Sequence, residues 1–171
     1  VPAACFAAWN NATGALTSPV ATNATSATSG TVKTLLQIQT GTGNPIRVLE
    51  WGYTFDTAPA NNCRMELIET GSVAATVTAH VAAGIHKVNV PTGVSSSVTL
   101  GTSATGYNAS AEGSITSTRL FDYHYENGLY YSRLWPLGRE WEIPAGNVLR
   151  IRATPTASTA INVTCYCIWE E

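Results

Sequence analysis

The chain has 171 residues with a formal net charge of −2; 12% are charged and 44% apolar. That charged share is about half of the roughly 25% usual for a globular domain. The nine Lys and Arg residues are scattered, which excludes the basic face that nucleic acid demands and the polybasic patch that an anionic membrane attracts. No stretch approaches the length of a membrane span. The length fits one domain with a full core and no need of disulfide staples. Thr, Ser, Asn and Gly take over the polar work, which suits a surface packed against copies of itself or against a larger assembly.

Residues 1–30 hold no charged side chain and no sustained period of 3.6 or 2. They also lack the charged start and apolar core of an intact signal peptide. The composition predicts an extended N-terminal arm that orders across a neighbour, with Cys5, Phe6, Trp9 and Leu16 as anchors. Residues 31–171 form the folded domain. TVKTLLQIQT reads as a strand closed by the turn cluster GTGNP. IRVLEWGYTFD is a second strand, and CRMELIETG a third with Cys63, Met65 and Leu67 on one face and Arg64, Glu66 and Ile68 on the other. SVAATVTAHV and IHKVNV read as a hairpin turned at AAG. PTGVSSSVTLGTSATGYNAS is a long loop with short extended pieces.

EGSITSTRLFDYHYE predicts a long strand, and YYSRLWPLGREWEIPAG gathers Tyr130, Tyr131, Trp135 and Trp141 around two prolines. NVLRIRAT and AINVTCYCIWEE alternate strictly; Val148, Arg150 and Arg152 share one parity, Leu149 and Ile151 the other. No segment shows helical periodicity. About eight to ten short strands between turn clusters make the chain all-β, a single antiparallel β-sandwich of jelly-roll type carrying the arm.

The four cysteines, Cys5, Cys63, Cys165 and Cys167, lack the paired spacing of zinc sites and read chiefly as buried thiols. The serine-hydrolase elbow and the Gly-rich phosphate loops are absent. His80, His86 and His124 read as half-exposed strand histidines. Glu140 and Glu142 share a parity around Trp141, as an acid pair beside an aromatic platform would; a solvated strand face explains them equally. With Asp122 and Glu126 they are the candidates for an enzyme, which is not the expected reading. No catalytic residue, metal or cofactor is expected.

The stretch FDYHYENGLYYSRLW interleaves Tyr with Asp, His, Glu and Arg, and Tyr, Trp and Arg are enriched at interface hot spots. Phe6, Trp9, Tyr123, Tyr125, Tyr130, Tyr131, Arg133, Trp135 and Trp141 are therefore the interface candidates. An alternative use of Trp135, Trp141 and the Tyr130–Tyr131 pair is a sugar-binding platform, in a carbohydrate-binding or adhesive module.

The phrases IRVLEWGYTFD, CRMELIETG and ATVTAHV, with the later TGYNASAEGSITSTRLFD and PLGREWEIPAGNVLRIRAT, are similar to accessory capsid (decoration) proteins of tailed phages, particularly those infecting actinobacteria. The resemblance covers residues 45–171 and has no single diagnostic motif. It implies a non-enzymatic virion protein, assembled in the host cytoplasm and bound outside an icosahedral capsid. It further implies a homo-oligomer, a trimer first of all, that braces contacts between major capsid subunits.

Overall fold

The structure, a computed structural model, describes residues 3–11, 19–90 and 93–171, with the backbone alone at Glu126. Its strands in chain order are β1 (Cys5–Trp9), β2 (Asn23–Ala24), β3 (Lys33–Gln39), β4 (Ile46–Phe55), β5 (Cys63–Glu69), β6 (Thr76–Ala79) and β7 (His86–Asn89). There follow β8 (Gly106–Ala111), β9 (Arg119–Glu126), β10 (Tyr130–Leu134), β11 (Trp141–Ile143), β12 (Val148–Pro155) and β13 (Asn162–Glu170). Two antiparallel sheets pack face to face, so the chain is the all-β sandwich that its alternation predicts. One sheet runs β10-β4-β13-β1-β7, with β11 beside β4 and β2 beside β13; the other runs β6-β8-β3-β12-β5-β9.

Strict alternation decides which side of each central strand faces the core. In β13 the side chains of Val163, Cys165, Cys167 and Trp169 are wholly buried, while Thr164, Tyr166 and Ile168 turn the other way. Across the core, β12 offers Leu149, Ile151 and Ala153, and β5 offers Cys63, Met65 and Leu67. Trp51, Tyr53 and Phe55 from β4 complete the layer. Each large side chain so buried contributes about 1.5–3 kcal/mol. All four thiols are free, three of them buried, and burial pushes the Cys63 thiol up to about 11.

The N-terminal arm is the main correction. β1 pairs with β13 on one side and β7 on the other, Ala7 opposite Ile168 and opposite His86. Phe6, Ala7 and Ala8 are buried, Phe6 against Trp169 at 6.2 Å between ring centroids. Residues 23–24 also add to β13, so residue 30 is no boundary between arm and sandwich. The composition hid this because CFAAW is buried on both faces and shows no alternation. The expected anchor Leu16 lies outside the described residues.

The β6–β7 hairpin is a second correction. β6 pairs with β8 in one sheet and β7 with β1 in the other; the 3-10 turn Ala82–Gly84 carries the chain between sheets. His80 before it is buried, not half exposed. Its Nε2 lies 2.9 Å from the Trp9 carbonyl oxygen, and its ring meets Tyr107 edge-on.

The outer face of the six-stranded sheet is covered at its centre. Arg150, on the parity of β12 that points away from Leu149 and Ile151, is fully buried. It donates to the Val73 carbonyl at 2.5 Å, the Glu112 carbonyl at 2.9 Å and the Glu112 carboxylate at 3.2 Å. Beside it Gln37 donates to the Ala75 and Ala104 carbonyls and accepts from the Ala75 N–H. The segment before β6 and those flanking β8 thus fold back over the sheet, held by polar side chains that reach up to meet them.

Candidate functional site

β9 and β10 end their respective sheets on the same side of the sandwich, and the segment joining them gives both sheets an edge there. Asp122 of β9 fastens the two together. Its carboxylate, 9% exposed, accepts from the Trp51 indole at 3.0 Å, the Tyr131 hydroxyl at 2.9 Å and the Arg133 guanidinium at 3.2 Å. His124 Nε2 stands 3.9 Å away. One acceptor on the edge of one sheet thereby holds donors from two strands of the other. Burial, then the bond to Asp122, raises the Tyr131 hydroxyl to about 12, so it remains a donor throughout the physiological range. The Tyr131 ring lies 3.5 Å from that of His124 and packs edge-on against Trp51.

With β10 fixed in this way, alternation sorts its side chains. Tyr131 and Arg133 pair opposite Tyr53 and Trp51 and point inward; Tyr130, Ser132 and Leu134 point out. Tyr130 is 73% exposed, Leu134 70%, and Leu137 just beyond the strand 93%. The neighbouring strip is flat because Gly52 has no side chain: a Cβ there would sit 2.7 Å from the Tyr131 carbonyl oxygen and 2.8 Å from the Tyr166 ring. Tyr166 lies across that gap and donates its hydroxyl to Glu50.

On β9 the outward residues are Tyr123 and Tyr125, opposite Glu66 and Arg64, and both tyrosines are about half exposed. Arg64 lies over the Tyr123 ring at 4.4 Å and donates to Glu66, which also accepts from Arg152 at 2.8 Å. Leu120 extends this outward row toward the start of β9.

The nine interface candidates therefore divide. Tyr125 and Tyr130 are exposed, Tyr123 is half exposed with Arg64 over its ring, and Arg133 is partly exposed while held by Asp122. Phe6 and Trp135 belong to the core instead, both buried within its hydrophobic cluster. Tyr131 and Trp141 pack partly against that core, Trp141 upon Phe121 at 4.5 Å. Trp9 is half buried away from this edge, between His86 and Tyr166. The four residues of the alternative sugar platform do not share one face: Tyr130 and Tyr131 face opposite ways, and Trp135 is buried.

Glu140 accepts from the Gly138 N–H at 2.8 Å, and Glu142 is exposed opposite Arg47. Glu126 lies opposite Cys63 in the β9–β5 ladder. Among the described residues no three His, Cys, Asp or Glu side chains gather as metal ligands, and no helix is long and apolar enough to cross a membrane. No family model, curated protein or solved structure matches the chain.

Sequence reading missed the aliphatic members of the edge, Leu120, Leu129, Leu134 and Leu137, by weighing only aromatics and Arg. It missed the role of Asp122 because a lone carboxylate gives no sign of three donors arriving from other strands.

Proposed function

We propose that this chain is a non-enzymatic structural protein that docks through its β9–β10 side onto a larger protein assembly. The finer reading is an accessory protein on the outside of an icosahedral phage capsid, bracing neighbouring major capsid subunits. One observation carries the docking role. Among the described residues, seven of the eleven exposed large hydrophobic ones fall within residues 120–137: Leu120, Tyr123, Tyr125, Leu129, Tyr130, Leu134 and Leu137. They line the edge strands of both sheets, Leu120, Tyr123 and Tyr125 on the outer face of one and Tyr130 and Leu134 on that of the other. Apolar exposure concentrated along one edge of a sandwich favours an interaction there, whereas single exposed apolar residues are ordinary. Asp122 and its three donors tie the β9 and β10 strands together, so docking would not have to order the edge backbone. The capsid assignment is supported by the sequence resemblance over residues 45–171.

The test is mass spectrometry of density-banded particles from a lysate in which the protein is expressed, followed by immunogold labelling of those particles with an antibody to the purified chain. Stoichiometric recovery and labelling of the outer surface are expected. A chain that stays in the unbanded supernatant overturns the capsid reading.

A further inference from the structure

Extending the docking reading, we infer that β10 is a self-complementary edge that joins two copies of this chain about a two-fold axis at Ser132, making one continuous sheet from their β10-bearing sheets. This departs from the three-fold symmetry expected from the resemblance.

The backbone register sets the geometry. Phe55 N–H donates to the Leu129 carbonyl, and Trp135 N–H to the Leu49 carbonyl. Odd-numbered residues of β10 therefore turn their backbone polar groups toward β4. Tyr130, Ser132 and Leu134 turn theirs to the free edge, since these directions alternate along an antiparallel strand. Their three N–H and three C=O groups match those of an identical strand laid antiparallel, with Ser132 opposite Ser132 and Tyr130 opposite Leu134. Side chains agree with that register. Each exposed Tyr130 ring gains a Leu134 of the second copy on the same face, an aromatic–aliphatic cross-strand pair made twice. Arg133 comes opposite Tyr131, so no like charges oppose, and each Arg133 already pairs with its own Asp122.

The other sheet edges are guarded and β10 is not. Native edges avoid pairing through bulges, charges, Pro or shortness. The ladders holding β6, β7 and β9 each contain a register shift; β6 and β7 have only four residues, and β7 carries the exposed Lys87. The ladder holding β10 is regular over five residues, with no Lys or Pro, and its single cation faces inward to Asp122. An edge of this kind is a template for a second strand, and its symmetric use closes after two copies.

Sedimentation velocity of the full chain over a concentration series, with Ser132→Pro, Leu134→Lys and the control Val88→Lys on β7, tests the inference. Proline at 132 removes an N–H that points to the free edge and is compatible with an edge strand. We expect a dimer for the parent and Val88→Lys, and association about ten-fold weaker or more for the two β10 variants. Slowed hydrogen exchange at Tyr130, Ser132 and Leu134 in the dimer is also expected. If Ser132→Pro misfolds, Leu134→Lys decides, because it leaves the backbone intact. A monomeric or trimeric parent, or a dimer indifferent to Leu134→Lys, overturns the inference. Particle banding of the same chains keeps the two readings apart: a parent monomer that bands with particles overturns β10 pairing alone, and a β10-paired dimer absent from them overturns the capsid reading alone.

Discussion

The centre of the six-stranded sheet's outer face and the β9–β10 side both combine charge with apolar surface, but they handle it in opposite ways. At the sheet centre, Arg150 and Gln37 reach outward and loops close over them, so every large side chain there is covered. At the β9–β10 side, Asp122 draws its partners inward, and the apolar side chains on the alternate positions are left facing solvent. One polar network completes the monomer; the other holds a surface open. The difference teaches that the exposed apolar residues are not a failure of cover, because this molecule covers a sheet where its fold requires it.

Breaking the closed part of the molecule should cost most. Deleting residues 1–30 removes β1 from between β13 and β7, and we expect loss of the cooperative thermal transition by circular dichroism. An intact transition would show that β1 is dispensable to the sandwich. Arg150→Ala takes the charged partner from the Glu112 carboxylate, which keeps the Thr34 N–H and hydroxyl, and a donor from the Val73 carbonyl, and should cost about 3–5 kcal/mol in urea unfolding. On the open side, Asp122→Ala leaves the buried Trp51 indole without its acceptor and frees β10 from β9. A loss of about 3 kcal/mol is expected, with a change in tryptophan fluorescence reporting the freed indole.

Acid sharpens the comparison further. Burial lowers the His80 pKa, the Trp9 and Asn11 carbonyls oppose that shift, and neighbouring His86 adds to it. Its folded value lies below the ordinary 6.5, so the unfolded chain takes up a proton first. Stability is then full above about pH 6.5 and falls as pH drops below it. Urea midpoints at pH 8 and pH 5 should differ more for the parent than for His80→Gln. The smallest effect belongs to the open surface: Tyr130→Ser should change monomer stability by less than about 0.5 kcal/mol, measured at concentrations too low for association. A large loss would mean that Tyr130 supports the fold and is not merely displayed by it.

Alternation made most of the sandwich legible. In AINVTCYCIWEE the buried set follows the period of two; in CRMELIETG the parity of Cys63, Met65 and Leu67 faces the core as the period predicts, but Glu66, Ile68 and Glu69 are buried as well. β1 escaped because a strand buried on both faces has no period to read. The β6–β7 pair escaped because a short turn looks the same whether it reverses a strand or passes it to the opposite sheet. At the candidate site, segment 120–137 stood out by composition, yet which rings open outward depended on the register of β10 against β4. That register is fixed by strands distant in sequence, so local pattern could not separate Tyr130 from Tyr131.

The insertion of β1 bears on how the chain reaches this state. Its partners are β7, in the middle of the sequence, and β13, near the end, so Ala7 must wait for Ile168 before its ladder can close. A ribosome releases these segments in order, and β1 remains without one of its neighbours until residues 162–170 have emerged. Such distant pairings impose a loop-closure cost before they return any stability, which slows folding into the range of milliseconds to seconds. During that interval CFAAW is an unprotected apolar segment, and a chaperone acting on the nascent chain would find its binding site there.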